Sequence, residues 1–268
     1  MVGTGNSISV EDVAFNYPGG ASVFTGIMLA VEEGSVYSLL GPNGTGKSTL
    51  LKCMAGLISP SHGRVLLDGR DIAGMQPHEI ARRVGFVPQT QASPFPFLVR
   101  DIVLMGRASH LGLFAIPSTE DEDIAADALD RVGISHLADR PCTGISGGEW
   151  QLALIARAIA QRPGVLLLDE PTSHLDLGNQ MRVLDVIRRL AGDGITIVFA
   201  THFPDHALLT SNRVAILKDQ RILAMGRPED VIREETMRRV YGTDVRILHL
   251  GDPFNRRICV PVAGRVKP

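Results

Sequence analysis

The sequence predicts an α/β fold in which a helical segment is inserted into a core of strands and helices. Strand-length apolar runs, such as 36–40 and 165–168, alternate with segments whose apolar residues recur at helical spacing. Between about residues 90 and 157 the strand-like runs stop and helical spacing dominates. We therefore expect an α/β core formed by 1–89 and 158–240, a helical unit at 90–157 and a small β extension at 241–268.

The first half of the chain predicts three strands, a helix and a fourth strand, separated by turn residues. Residues 8–15 alternate as a half-buried strand does, Pro18-Gly19-Gly20 interrupts the pattern, and 23–31 resumes it. The apolar strand 36–40 then leads through a glycine-rich loop into an amphipathic helix. A short strand at 64–68 follows that helix.

The second half predicts the helical unit and then the remainder of the core. Helical spacing covers 99–105 and 121–132, and Thr119 with Glu122 has the pattern of a capping box at the start of the second helix. Buried or half-buried strands and amphipathic helices follow in order: strand 165–168, helix 180–190, strand 195–200, hairpin 214–217 and 221–224, helix 228–240, and a β pair at 245–250 and 258–262.

Composition and charge exclude several functional classes. The formal net charge is −2, which argues against broad neutralisation of nucleic-acid phosphates, so we expect no nucleic-acid partner. Cys53, Cys142 and Cys259 are odd in number and far apart, so they predict buried apolar residues and not a disulfide framework or a metal site. The N-terminus does not resemble a secretory signal, and no apolar run approaches the ~20 residues that span a bilayer. Any membrane crossing is therefore expected from another chain.

The loop after strand 36–40 matches the phosphate-binding pattern G-x-x-x-x-G-K-[ST]. Its glycines allow backbone N–H groups to turn towards a β-phosphate, and the following helix N-terminus favours an anion. Lys47 is expected to reach the β- and γ-phosphates, and the Ser48 hydroxyl to ligate Mg²⁺. The predicted nucleotide-binding residues here are Gly41, Pro42, Asn43, Gly44, Thr45, Gly46, Lys47, Ser48 and Thr49.

Two acidic residues end the apolar strand 165–168. Asp169 and Glu170 are followed by Pro171, which turns the chain away. Charges at such a position are costly unless they face a polar site. The chemistry of nucleoside triphosphatases then predicts that Asp169 holds Mg²⁺ through water and that Glu170 polarises the attacking water.

The segment Ser146-Gly147-Gly148-Glu149 lies between the phosphate-binding loop and the acidic strand end. Ser146 and Glu149 have the spacing of a capping box, so a well-capped helix is one interpretation. Two glycines in a first helical turn have poor helix propensity, but they leave the helix N–H groups open to a phosphate. We therefore expect Ser146, Gly147 and Gly148 to contact nucleotide.

In this order, the motifs resemble those of the ATP-binding cassette (ABC) ATPases. The resemblance implies a RecA-like P-loop NTPase core with an N-terminal antiparallel β subdomain and an inserted α-helical subdomain, which binds ATP and Mg²⁺ and hydrolyses ATP. It also implies four further roles. Gln89, favoured over Gln91, contacts Mg²⁺ or the attacking water; Asp176 lies at a dimer interface; His202 senses the γ-phosphate; and Tyr17 stacks on adenine.

The same resemblance implies a homodimer in which Ser146, Gly147 and Gly148 reach the ATP of the partner subunit. The usual family segment is Leu-Ser-Gly-Gly-Gln, whereas this chain has Ile145 and Glu149. A carboxylate close to ATP is unfavourable, so Glu149 is interpreted as the far end of a helix cap. Whether it also contacts nucleotide is left open.

A single cassette without a membrane segment resembles the separate nucleotide-binding subunit of an importer. Such a subunit works at the cytoplasmic face of the membrane with two permease subunits, and indirectly with a periplasmic or extracellular substrate-binding protein. The surface near 89–107 is expected to dock the permease. Residues 101–107, 155–160 and 240–242 resemble subunits that serve metal chelates, namely ferric siderophores, haem and cobalamin.

Two alternatives stay open. Molybdate or tungstate importers share the first two of these segments and the approach at 93–95. A soluble or exporter-associated ABC ATPase is the other alternative. The long coiled-coil insertion of repair members and the tandem cassettes of translation members do not occur in this sequence.

Overall fold

A computed structural model describes residues 6–89, 95–112 and 115–262. The predicted residues Gln91, Ser93 and Pro94 lie outside these ranges. The elements within them are β1 (Asn6–Asn16), β2 (Ser22–Glu32), β3 (Val36–Leu40), α1 (Lys47–Met54), β4 (His62–Leu67), β5 (Arg70–Asp71), α2 (Pro77–Ala81), β6 (Val84–Val87), α3 (Val99–Leu104), α4 (Thr119–Val132), α5 (Gly147–Ile159), β7 (Val165–Leu168), α6 (Leu177–Gly192), β8 (Thr196–Thr201), α7 (Pro204–Thr210), β9 (Arg213–Lys218), β10 (Arg221–Gly226), α8 (Pro228–Val231), α9 (Glu234–Tyr241), β11 (Val245–Leu250) and β12 (Arg256–Pro261).

Two sheets form the α/β core. The larger has the strand order β10-β9-β3-β8-β7-β6 and is parallel except for the antiparallel β9–β10 hairpin. The smaller sheet is antiparallel, with the order β2-β1-β4-β5. Every residue of β3, β7 and β8 is buried, as expected for parallel strands covered on both faces. The predicted α/β class with an N-terminal antiparallel sheet is confirmed.

The two sheets enclose α1. Leu50, Leu51 and Met54 on this helix are fully buried in an apolar cluster that also contains Phe24 from the small sheet and Leu39 from the large sheet. Because α1 follows the glycine-rich loop directly, its burial fixes the position of that loop against both sheets. The loop is therefore anchored to the apolar cluster between the two sheets.

The described residues between β6 and β7 contain helices and no strand. α3, α4 and α5 pack on one another, and α5 and α6 share a second apolar cluster with β7. A buried ion pair joins the ends of these helices: Arg107 Nε donates to Asp121 Oδ1 at 2.8 Å, and its Nη1 donates to the carbonyl of Ala160 at 2.9 Å. None of the helices in the described ranges is long and apolar enough to cross a bilayer.

Three local predictions need correction. The capping box of α4 uses Ser118 and Asp121, one residue earlier than the predicted Thr119 and Glu122. The predicted helix 228–240 is two helices, α8 and α9, which are separated at Ile232 (φ −84°, ψ 85°). Cys53 and Cys142 are buried as predicted, but Cys259 is only partly buried because it lies on the small β11–β12 pair.

Candidate functional site

The loop between β3 and α1 adopts a conformation that depends on its glycines. A Cβ at Gly41 would lie 2.4 Å from the carbonyl oxygen of Leu217, so no side chain fits there. Gly46 has φ +94°, and a Cβ there would approach Val23 and Phe24 to within 2.9 Å. Gly46 is also the N-cap of α1, where no side chain caps the helix. The first turn of α1 therefore presents backbone N–H groups that can bind phosphate oxygens.

Lys47 is held at the centre of this loop. Its ammonium group donates to the carbonyl oxygens of Gly41 at 2.8 Å and Pro42 at 2.9 Å, and lies 3.3 Å from Glu170 Oε1. Its side chain is almost fully buried. Burial lowers the pKa of Lys47 below its ordinary value, and the negative charge of Glu170 opposes that change. The paired ammonium is thus a cation already placed beside the phosphate-binding loop.

Ser48 and Asp169 bring two oxygen ligands together. The Ser48 hydroxyl donates to Asp169 Oδ1 at 2.8 Å, and Asp169 is 4% exposed. Burial raises the pKa of Asp169, and the hydrogen bond from Ser48 opposes the rise. In the described ranges no group of three His, Cys, Asp or Glu side chains converges as a metal cage. A hydroxyl with a carboxylate is the small oxygen set that suits Mg²⁺ completed by phosphates and water, so these residues fit that ion.

Glu170 is the most connected side chain of the site. Its Oε2 accepts a hydrogen bond from Ser173 Oγ at 2.8 Å, and it lies 3.1 Å from His202 Nδ1 and 3.4 Å from Gln89 Nε2. Burial opposes its ionisation, but the Ser173 hydrogen bond and the charge of Lys47 outweigh burial, so the pKa of Glu170 is lowered. Its backbone has φ +47°, a conformation that costs a non-glycine residue energy. The carboxylate is therefore ionised and held in one place.

His202 directly follows β8 and contacts Glu170 through its ring. Its ring packs on Phe203, with 4.0 Å between the ring centroids. Its backbone carbonyl accepts a hydrogen bond from the hydroxyl of Tyr241 at 2.8 Å. Neither Tyr241 nor Ser173 was predicted as a site residue from the sequence. The Tyr241 contact joins residues 39 positions apart, so it depends on how distant parts of the chain fold. Ser173 is only three residues from Glu170, but its contact depends on the turn that follows the acidic strand end.

Tyr17 lies at the rim of the cleft, where half of its side chain is exposed. Its hydroxyl is 3.5 Å from Thr49 Oγ1, and its ring meets Phe15 edge-on at a centroid distance of 4.9 Å. The phosphate-binding loop, Gln89 and Glu170 line the same cleft, which encloses about 450 Å³. An exposed aromatic face beside a phosphate-binding loop is available for stacking on a nucleotide base.

Residues 146–148, the signature segment, lie at the N-terminus of α5 and do not line this cleft among the described residues. The predicted capping box is present. Ser146 Oγ accepts the N–H of Glu149, and Glu149 Oε2 accepts the N–H of Ser146 at 2.7 Å. That backbone hydrogen bond lowers the pKa of Glu149. The carboxylate of Glu149 is thus occupied by the cap.

Asn179 connects the signature segment to Asp176. Asp176 caps α6 by accepting the backbone N–H of Asn179 at 2.8 Å, and the Asn179 side chain donates to Asp176 Oδ2 at 2.9 Å. Gly148 packs directly on Asn179, since a Cβ at Gly148 would lie 2.3 Å from the Asn179 side chain. The structure thus connects Asp176 and Gly148 through Asn179, and neither residue lines the cleft that contains Lys47 and Glu170.

Comparison with known proteins shows which family this chain resembles. The family model described as ABC transporter matches residues 24–173. The molybdate import ATP-binding protein MolC of Haemophilus influenzae is 39% identical over 86% of this chain and 86% of its own length. The ferric enterobactin transport ATP-binding protein FepC of Escherichia coli is 34% identical over 96% and 94%, respectively.

A solved structure supports the same assignment at the level of the backbone. A metal-chelate type ABC transporter in an inward-facing conformation has a chain that matches with a TM-score of 0.85 and 35% identity, over 96% of this chain and 98% of that one. The family match covers more than half of the sequence, and the relatives match across almost all of it. The chain therefore belongs to the ATP-binding proteins of the ABC transporter family.

Proposed function

We propose that this chain is the ATP-hydrolysing subunit of an ABC importer, which powers uptake of a metal chelate through a separate membrane permease. The observation that carries the proposal is the convergence on Glu170. Lys47, Ser173 and His202 all lie within 3.3 Å of its carboxylate, next to the phosphate-binding loop. The cargo class rests on the similarity to a ferric enterobactin transport protein and to a metal-chelate type transporter.

The phosphates of ATP would be bound by the loop at 41–48 and by the open N-terminus of α1. Tyr17 would stack on adenine at the rim of the cleft. Ser48 and Asp169 would hold Mg²⁺, with Gln89 in reach of the same region. That ion, when bound, offsets the negative charge of the β- and γ-phosphates. Lys47 would exchange its carbonyl contacts in the loop for phosphate oxygens.

Glu170 would act on the water that attacks the γ-phosphate. Its lowered pKa keeps it ionised, so its oxygens accept hydrogen bonds from water and orient the attack. As the new P–O bond forms and the bond to ADP breaks, the water gives up a proton towards the carboxylate. His202, 3.1 Å from Glu170, would contact the γ-phosphate side of the site and keep the carboxylate in place.

Two copies of the chain would close on two ATP molecules. In each copy, Gly147 has open space around its Cα, so the N-terminus of α5 is accessible to a phosphate on the partner subunit. Ser146, Gly147, Gly148 and Asp176 would then form the face that completes the partner's site. Closure and reopening of such a dimer would couple hydrolysis to movement of the two permease subunits.

The proposed permease contact is on the helical insertion. Phe95, Phe97 and Met105 are large apolar side chains that remain exposed around α3, close in sequence to Gln89. The rings of Phe95 and Phe97 also contact each other, with 6.0 Å between their centroids. Exposed apolar side chains of this size favour a protein contact. We place the complex at the cytoplasmic face of the membrane, with a periplasmic or extracellular substrate-binding protein supplying the cargo.

A molybdate importer is the second candidate because MolC is 39% identical to this chain. The ATPase does not touch the cargo, so the two candidates are separated by uptake measurements. Cells lacking this gene should lose uptake of a labelled ferric siderophore, haem or cobalamin and keep uptake of labelled molybdate and tungstate. The reverse result would assign the chain to the second candidate.

Replacing Glu170 with Gln tests the proposed chemistry. Glu170→Gln preserves the shape of the side chain but removes the negative charge that orients the water. We expect ATP turnover to fall at least ~100-fold, as for other losses of a catalytic acid or base. ATP affinity should change little, and a dimer should accumulate with ATP. Phosphate release, equilibrium binding and size-exclusion chromatography measure these three quantities.

Glu120→Gln is the matched control. Glu120 is an exposed residue in the first turn of α4, outside the cleft, so its replacement should leave turnover unchanged. If Glu170→Gln turned over ATP at the rate of the control, Glu170 would not have the proposed role.

Purification of the chain from its cells tests the transporter assignment. Co-purification with a polytopic membrane protein is expected, whereas recovery with ribosomes or DNA would favour a soluble ABC ATPase.

A further inference from the structure

The C-terminal part of the chain reaches back to the histidine of the nucleotide site. Tyr241 is the last residue of α9, and its hydroxyl donates a 2.8 Å hydrogen bond to the backbone carbonyl of His202. The two residues are 39 positions apart. Because His202 Nδ1 lies 3.1 Å from Glu170, a continuous set of contacts leads from α9 to the catalytic carboxylate.

The position of Tyr241 is fixed by packing. Met237 and Val240 on α9 are buried in an apolar cluster with Leu40 at the end of β3 and Ala207 on α7. Gly242 ends the helix with a left-handed conformation, immediately after Tyr241. The tyrosine therefore has little freedom to move away from His202.

A second contact from the C-terminal region holds the same segment. The backbone N–H of Cys259 on β12 donates to Asp205 Oδ1 at 2.7 Å. Asp205 lies in the first turn of α7, three residues after His202, and β12 packs on this helix. Residues 202–205, here called the switch segment, are thus bonded at one end to α9 and at the other to β12.

We infer that Tyr241 is a positioning residue for His202, and that the C-terminal region 234–261 holds the switch segment in the geometry that the nucleotide site needs. The inference rests on the proposed ATPase function and adds a role for the C-terminal region. Tyr241 does not line the cleft formed by the phosphate-binding loop, Gln89 and Glu170. It acts through the peptide that joins His202 to Phe203.

The hydrogen bond from Tyr241 restricts the orientation of His202. The carbonyl of His202 belongs to the peptide plane between His202 and Phe203, so a hydrogen bond to that oxygen restricts rotation of the plane. The His202 ring starts from the same residue and is packed on Phe203. Burial raises the pKa of Tyr241 above its ordinary value, and the nearby Cys259 and Glu170 add to the rise, so the hydroxyl remains a donor.

Tyr241→Phe removes only the hydroxyl and tests the inference directly. Loss of one positioning hydrogen bond should lower kcat for ATP about three- to tenfold. The KM for ATP should stay within about twofold, since the phosphate-binding loop and Tyr17 are unchanged. Tyr37→Phe is the matched control because the Tyr37 hydroxyl is also buried and has no hydrogen-bond partner among the described residues.

A spectroscopic measurement separates positioning from stability alone. In ¹³C-labelled full-length protein, the Cε1–Hε1 signal of His202 is identified by its loss in His202→Gln. Tyr241→Phe should displace or broaden this signal, and Tyr37→Phe should not. Asp205→Ala removes the contact with β12 and should displace the same signal. If Tyr241→Phe does not fold, Asp205→Ala still tests whether the C-terminal region positions His202.

The outcomes distinguish this inference from the function on which it rests. Failure of the wild-type chain to hydrolyse ATP would remove the proposed function. With an active wild type and an inactive Glu170→Gln, a Tyr241→Phe variant that matches Tyr37→Phe in kcat and in the His202 signal would overturn the positioning role alone. If Tyr241→Phe lowered the melting temperature but left kcat and the His202 signal unchanged, the positioning role would also be overturned.

Discussion

Gly147 and Gly148 are neighbours in the sequence but have different surroundings. A Cβ at Gly147 would meet nothing within 4 Å, whereas a Cβ at Gly148 would lie 2.3 Å from the side chain of Asn179. Gly148 is therefore required by packing within the chain. Gly147 has no such requirement, so a contact outside the chain is the better explanation for a glycine there.

Alanine at these two positions should have separable effects. Gly148→Ala should lower the free energy of unfolding by about 1–3 kcal/mol because the Asn179 side chain must be displaced. Gly147→Ala should change it by less than ~0.5 kcal/mol, since alanine is the better helix former, but should weaken ATP-dependent dimerisation. Urea unfolding and analytical ultracentrifugation measure the two quantities. Equal stability losses in both variants would contradict this account.

The residues of the proposed nucleotide site could be chosen from the sequence, but their contacts with one another could not. The phosphate-binding pattern and the acidic strand end are local, so Lys47, Ser48, Asp169 and Glu170 could be chosen from the sequence. The ion pair between Lys47 and Glu170 joins positions on two separate strand-to-helix connections. Which atoms meet there depends on the register of the parallel sheet, which no local pattern specifies.

The elements were predicted well where apolar runs are strong, as in β7, where all four residues are buried. The helix predicted at 228–240 was wrong for a reason that involves packing. Val231, Ile232, Met237 and Val240 are all buried, and on one straight helix these positions would spread over most of its circumference. The break at Ile232 lets α9 bury Met237 and Val240 on one face. Residues 229–240 contain no Gly or Pro from which this break could have been predicted.

A buried ion pair adds to the apolar packing of α3, α4 and α5. Arg107 contacts Asp121 in the first turn of α4 and the carbonyl of Ala160 at the end of α5. Removing one partner of a buried pair leaves an uncompensated charge. The pair therefore helps to hold the start of α4 and the end of α5 at a fixed distance from the end of α3.

Arg107→Ala should lower the melting temperature by about 5–10 °C, because it leaves Asp121 without its buried partner. Thermal unfolding followed by circular dichroism measures the change. Arg64→Ala is the control, since Arg64 pairs with Glu11 on the exposed surface and should give no measurable shift. A melting temperature unchanged by Arg107→Ala would show that the pair does not stabilise the insertion.

For the protein as a whole, His206 links stability to pH. It is buried on α7, and its Nδ1 lies 3.1 Å from Thr172 Oγ1. Burial, with a further contribution from His202, lowers the pKa of His206 to about 4. The unfolded chain, with an ordinary pKa near 6.5, then binds a proton more readily than the folded chain between about pH 6.5 and 4. Stability is lost as the pH falls through this window.

Urea unfolding at pH 7.5 and pH 5 tests this linkage. Between pH 7.5 and pH 5, the free energy of unfolding of the wild type should fall by about 2 kcal/mol more than that of His206→Asn, in which the titrating group is absent. His136→Gln, a replacement of an exposed histidine, should follow the wild type. If His206→Asn lost as much stability as the wild type, another group would be responsible for the pH dependence.

The position of β3 at the centre of the large sheet has a consequence for synthesis of the chain. Its neighbours β8 and β9 begin at Thr196 and Arg213, whereas β3 ends at Leu40. On the ribosome, the phosphate-binding loop is therefore made well before the strands that flank β3 in the sheet. Such long-range pairing is slow to form. The small sheet can already cover one side of α1, but β3 lacks both of its neighbouring strands while the helical segment is made. A nascent chain is prone to aggregation while such apolar strands are unpaired.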